Sequence, residues 1–151
     1  MDARNTTFAA GPIAQAYPSA STTVPNGTFT KIPLNAVEYD TDSSIDTANG
    51  RFKPNKAGYY RISSSIAFPM TGPGGMTLSL HLAKNGGTIK THAELINYNS
   101  SFNQTITINT IVHMNGTTDH LEIYATQNSG SSANVAGGSS SSWFSAEYLR
   151  N

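Results

Sequence analysis

Four apolar side chains, Met76, Leu78, Leu80 and Leu82, alternate without a break with Thr77, Ser79 and His81. A period of two is what a pleated strand with one buried face imposes, whereas a helix needs apolar residues three and four apart. Lys84-Asn85-Gly86-Gly87 follows at once, and Asn-Gly adopts positive φ at little cost. The strand is therefore predicted to end in a hairpin, with Ile89 to Ile96 returning beside it. No window of the chain carries a sustained helical repeat. Ser, Thr and Asn supply 50 of the 151 residues, a composition that suits strands with hydroxyl-rich faces and frequent turns.

A second informative stretch runs over residues 45–68. Asn49-Gly50 predicts a primed turn. Arg51-Phe52-Lys53 predicts a short strand, Pro54 a break, and Gly58 to Phe68 a longer strand with Tyr60, Ile62, Ser64 and Ile66 on one face. Further strands are predicted at Thr6–Ala9, Phe29–Leu34 (held to an edge by Pro33), Val37–Asp40, Gln104–Met114, Leu121–Ala125 and Trp143–Leu149. Residues 1–22 read as a partly extended N-terminal segment, with breaks at Gly11-Pro12 and Tyr17-Pro18. Ser129–Ser142 reads as a Gly/Ser-rich loop. Eight to ten short strands in one 151-residue domain predict an all-β, antiparallel two-sheet jelly-roll sandwich spanning residues 1–151.

Charge excludes some functions. Nine Lys plus Arg balance nine Asp plus Glu, and no basic patch or stripe suggests a nucleic-acid partner. No apolar run is long enough for a membrane-spanning helix, so membrane insertion is not expected. Cysteine is absent, so disulfides and thiol chemistry are excluded. The N-terminus lacks the apolar core of a signal peptide, which leads to an expectation of synthesis in the cytoplasm. No serine sits in Gly-x-Ser-x-Gly, Asp119-His120 has no serine at a recognisable spacing, and the few acids lie mostly in turns. An enzyme is not expected.

The spacing Asp40, Ile45, Phe52, Gly58, Tyr60 resembles the signature of the complement 1q globular head, a relative of the tumour necrosis factor jelly rolls. Ile45 stands where an aromatic is usual, Leu34 where the signature opens on Phe, and Ile62 and Ser64 where later aromatics fall. Trp143-Phe144-Ser145-Ala146-Glu147-Tyr148-Leu149 is similar to the family's last strand, and Lys84-Asn85-Gly86 to its central hairpin. The similarity spans residues 5–150. It implies a homotrimer and a non-enzymatic binding module. With no Gly-X-Y stalk, no cysteine and no leader, the chain looks like a form encoded by a bacteriophage or bacterium. The expected role is a binding head on a surface fibre that recognises a host-surface glycan or protein. The alternative is a structural virion or spore-surface decoration protein, whose partners are virion proteins and which has no host ligand of its own.

Candidate sites follow from residue type. Tyr98, Phe102 and Tyr124, read as loop aromatics, would stack on sugar rings beside Asn103. Recognition loops are expected at Pro69–Gly75, Tyr98–Gln104 and Gln127–Ser142. Tyr60, His81, Trp143 and Tyr148 are candidates for a trimer interface. Trp143 is also a loop-aromatic candidate, but since Trp143 and Phe144 open the last strand, one of them better suits the core or the trimer interface. His81 reads first as a plain surface or interface histidine, with a metal or anion ligand on a threefold axis as the lesser alternative. Asp40, Asp42 and Asp46 offer hard oxygens within seven residues. They would suit calcium, although Asp46 would serve equally to hold turn amides. No other cofactor is expected.

Overall fold

A computed structural model of the chain describes residues 11–151; the strand expected at Thr6–Ala9 lies outside them. Thirteen strand segments and no helix make up the described residues. They are β1 (Ile13–Tyr17), β2 (Thr22–Val24), β3 (Thr30–Ile32), β4 (Ala36–Asp40), β5 (Ile45–Asp46), β6 (Arg51–Phe52), β7 (Gly58–Met70), β8 (Gly74–Lys84), β9 (Gly87–Tyr98), β10 (Phe102–Met114), β11 (Leu121–Gln127), β12 (Ala133–Val135) and β13 (Trp143–Arg150). One sheet has the order β10-β7-β13-β1-β4. The other has β5-β6-β11-β8-β9, with β3 also paired to β11. A short ribbon joins β12 to β2. All pairings are antiparallel.

The predicted alternation places the core. Leu78, Leu80 and Leu82 of β8 are fully buried, as are Tyr60, Ile62, Ser64 and Ile66 of β7 and Leu121, Ile123 and Ala125 of β11. With Ile106 of β10 and Phe144 of β13 beside β7 on one sheet, and Phe52 of β6 beside β11 on the other, they form a single core between the two sheets. Phe52 meets Tyr60 edge-on at 5.5 Å and packs against Phe144 in a tilted pair at 5.6 Å, so one aromatic cluster seals the sandwich.

The Asn-Gly turns at 49–50 and 85–86 differ. Asn85 (φ 53°) and Gly86 (φ 83°) both occupy the left-handed region, joining Lys84 to Gly87 in a two-residue primed turn. At Asn49-Gly50 the expectation is corrected. Only Gly50 has positive φ, 58°. The loop is four residues long, between the pairs Asp46–Arg51 and Ile45–Phe52, and Gly50 donates its amide to the Thr47 carbonyl at 3.3 Å. Asp46 accounts for the difference: its carboxylate accepts from the Asn49 amide, the Asn49 side chain and Arg51, which holds Asn49 out of the primed geometry.

Two further expectations change. The N-terminal segment contributes β1, which lies inside the five-stranded sheet between β13 and β4. The Gly/Ser-rich stretch 129–142 contains β12. It is tied down by Ala136 donating to Ala67, Gly138 donating to Pro18, and the buried Ser142 hydroxyl accepting from the Ala67 amide at 3.0 Å.

Candidate functional site

At one end of the sandwich the chain leaves β7 at Met70, re-enters at Gly74, and crosses from β9 to β10 between Tyr98 and Phe102. The register brings these points together, with Phe102 opposite Met70 and Gly74 opposite Tyr98. The segment after β11 folds over the same end, because buried Gln127 shapes it. Its Nε2 donates to the carbonyls of Val24 (3.0 Å) and Ser131 (2.6 Å), and its Oε1 accepts from the Ser129 amide at 2.7 Å. The result is a cleft of about 540 Å³ walled by residues 69–71 and 73–76, Tyr98, Ser21, Ser129 and residues 131–134. Segments from all three expected recognition loops thus meet at one place, although they are far apart in sequence.

Tyr98 is the cleft's aromatic wall. Its phenol lies against the backbone of Gly74, where a Cβ would fall 2.8 Å from the hydroxyl oxygen, and Phe102 meets its ring edge-on at 5.6 Å. Around it stand the hydroxyls of Thr71, Ser131 and Ser132, with Met70 and Met76 forming the floor. Gly74 and Gln127 fall within the expected recognition loops, but sequence reasoning did not single out either one as shaping the cleft. Gly74 was legible as a break, and the seat it gives Tyr98 depends on strand register. A glutamine after an apolar strand carries no signal of its own.

The expected site residues separate. Tyr98, Phe102 and Asn103 share this end of the molecule, all on strands or at their margins rather than in free loops; Asn103 pairs with Pro69 on exposed β10. Tyr124 does not join them. It sits on the outer face of the other sheet, stacked on Phe29 at 4.4 Å, with its hydroxyl donating to Glu122 at 2.9 Å. Burial and the adjacent Glu122 carboxylate both raise its pKa. Phe29, half exposed in this group, was not expected as a site residue.

The four interface candidates share no surface. Tyr60 is fully enclosed and donates its hydroxyl to the Lys56 carbonyl at 2.8 Å, so it cannot meet a partner chain. Tyr148 lies on the inward face of β13, edge-on to Tyr60 at 5.4 Å, with the Lys56 ammonium 4.0 Å above its ring. His81 is on the outer face of the opposite sheet, held between the hydroxyls of Thr91 (2.9 Å) and Thr126 (3.0 Å); burial lowers its pKa. Only Trp143 points outward from the five-stranded sheet.

The calcium candidates are likewise not brought together. Asp40 spends both oxygens on the backbone amides of Asp42, Ser44 and Ile45. Asp46 spends its own on Asn49 and Arg51. The hydrogen bond from the Asn49 side chain leads in lowering the Asp46 pKa, against the opposing effect of burial. Among the described residues no three acidic or histidine side chains converge on a common point.

No family model matches the chain, and no curated protein does. Solved structures do. Eiger TNF from S. frugiperda superposes with a TM-score of 0.62 at 12% identity, over 92% of this chain and 92% of that one. The globular domain of zebrafish complement 1qA protein does so with 0.62 at 12%, over 93% of this chain and 100% of that one. Murine APRIL gives 0.65 at 12%, over 91% and 98%. At this identity the likeness establishes the fold, a jelly roll of the tumour necrosis factor and complement 1q type.

Proposed function

We propose that the chain is a non-enzymatic, homotrimeric binding head, carried on a phage or bacterial surface fibre, that engages a host-surface glycan or protein through its loop-lined end. On this reading it is made in the cytoplasm and acts on a virion or cell-surface particle.

The observation that carries the reading is the outward face of the five-stranded sheet. Ile13, Tyr39, Tyr59 and Ile111 are 43%, 43%, 45% and 57% exposed there, and Trp143 lies beside them. Between them stand small polar residues in cross-strand register, Ser145 with Ser63 and Ser63 with Asn109. Among the described residues the one ion pair on this face, Arg61 with Glu147 at 2.8 Å, is solvent-exposed and contributes little to stability. An apolar, aromatic face with few charges is what self-association covers.

Light scattering behind a sizing column, together with labelled protein applied to a panel of bacteria and a printed glycan array, tests the reading. A trimer that marks particular cells or glycans is expected. A monodisperse monomer at micromolar concentration removes the trimer, and a trimer that attaches only to virions makes the chain a decoration protein instead.

A further inference from the structure

Among the described residues, the charged side chains leave one end of this molecule empty. No Asp, Glu, Lys or Arg occurs in residues 5–30, 62–83, 95–118 or 123–146. Every segment that walls the 540 Å³ cleft comes from these four stretches. The charge-free runs lie far apart in sequence and meet only because strand register brings Met70, Gly74, Tyr98 and Phe102 to the same end.

The cleft keeps polar capacity free all the same. The side-chain hydroxyls of Thr71, Ser131 and Ser132 are exposed and have no hydrogen-bond partner among the described residues. Asn134 engages Thr23 through its carbonyl oxygen at 2.9 Å, which leaves its amide nitrogen to donate. Tyr98 adds a ring whose position is set by Gly74 on one side and Phe102 on the other. Hydroxyls that both donate and accept, placed around one aromatic plane, match a polyol ring with an apolar C–H face. An anionic ligand would have to shed water with no cation in the wall to replace it, and that desolvation is costly.

We propose that the end cleft binds an uncharged saccharide, with one sugar ring packed on Tyr98 and its hydroxyls bonded to Thr71, Ser131, Ser132 and Asn134, and that it discriminates against sialylated and sulfated glycans. The inference rests on the binding-head reading and narrows its ligand to neutral sugar.

The test uses the full chain, isotope-labelled for amide NMR. It is titrated with methyl glycosides of glucose, galactose, mannose and N-acetylglucosamine, and with sialyllactose and a heparin disaccharide as charged counterparts. At least one neutral glycoside is expected to shift the amides of Gly74, Gly75, Tyr98 and Asn134, with an affinity indifferent to added salt. Tyr98→Ala should weaken that binding roughly tenfold or more, and Tyr98→Phe should restore most of it. Shifts caused only by the charged probes, shifts confined to another surface, or no shift with any probe would each overturn the inference. Parallel labelling of bacterial cells separates the two readings. Cells marked while every saccharide fails leave the binding head standing without a sugar in this cleft, and unmarked cells remove both.

Discussion

Lys84 and Asp119 are joined at 2.8 Å where the β8–β9 hairpin meets the turn before β11. Lys84 also donates to the His113 carbonyl at 2.7 Å. Asp119 accepts in addition from the Asn85 side chain at 2.8 Å and the Asn115 amide at 2.9 Å. One half-buried pair therefore ties the ends of β8 and β10 to the start of β11, at the end of the sandwich remote from the cleft.

Acid should loosen this tie. Burial raises the Asp119 pKa, but the hydrogen bonds from Lys84, Asn85 and Asn115 outweigh it and hold the carboxyl at about 2, below its ordinary value of 3.8. A depressed native pKa stabilises the fold above the unfolded value and loses that contribution as pH falls from about 3.8 towards about 2. Asp119→Asn should cost about 2 kcal/mol at neutral pH and flatten the acid limb of a denaturation series. An acid limb unchanged in the variant would assign the effect to other carboxylates.

Alkali should act at Tyr60. Burial, reinforced by Tyr148 and Asp42, pushes its phenol to about 12 from an ordinary value of 10.0. A raised native pKa contributes stability fully below 10 and loses it as pH climbs towards about 12. Ultraviolet titration should show one tyrosine ionising well after the rest, a step missing in Tyr60→Phe. That variant also loses the hydrogen bond to Lys56 and should be destabilised by about 1 kcal/mol. A variant as stable as the parent would argue against that bond.

The two turn glycines should respond unequally to alanine. Gly86 has open space where a Cβ would stand, so Gly86→Ala should cost only the left-handed backbone, about 1 kcal/mol. At Gly50 the Cβ would stand 3.2 Å from both the Leu34 nitrogen and the Pro33 Cα, so Gly50→Ala should cost more, and Gly50→Val more again. Equal shifts in denaturation midpoint would mean that the Pro33-Leu34 backbone yields freely.

Ile111 is the sharpest probe of assembly. It is 57% exposed and sits opposite Arg61 across the β10–β7 pair. Ile111→Glu would find a cation beside it within its own chain, so folding should change by less than about 0.5 kcal/mol. Across an association face the same carboxylate is costly to bury. The mass by light scattering should fall from about 48 kDa, three times 16.0 kDa, to that of the single chain. A variant that keeps the larger mass would place the interface on another surface.

The legibility of the chain was uneven for identifiable reasons. The β8 strand and the Asn85-Gly86 turn announce themselves locally, since alternation and positive φ are properties of adjacent residues. The β1 strand escaped notice because its inward positions are Ala14 and Ala16, both buried yet too small to stand out. The β12 strand consists of small and polar residues, and its partner Thr22–Val24 lies more than a hundred residues earlier. At the cleft, the three loops could be named from Pro, Gly and Ser content, but their convergence could not.

By itself the sequence determined that this chain is all-β, where most of its strands run and which residues share a face, because period two and turn chemistry are local. Only the tertiary structure decided which face is covered. Tyr60 resembles an interface aromatic in sequence, yet the opposite sheet encloses it; Ile111 resembles a core residue, yet none of the described residues covers it. Which side chains converge on one site was decided in the same way, since strand register sets Tyr98 on Gly74 and carries Tyr124 to another surface.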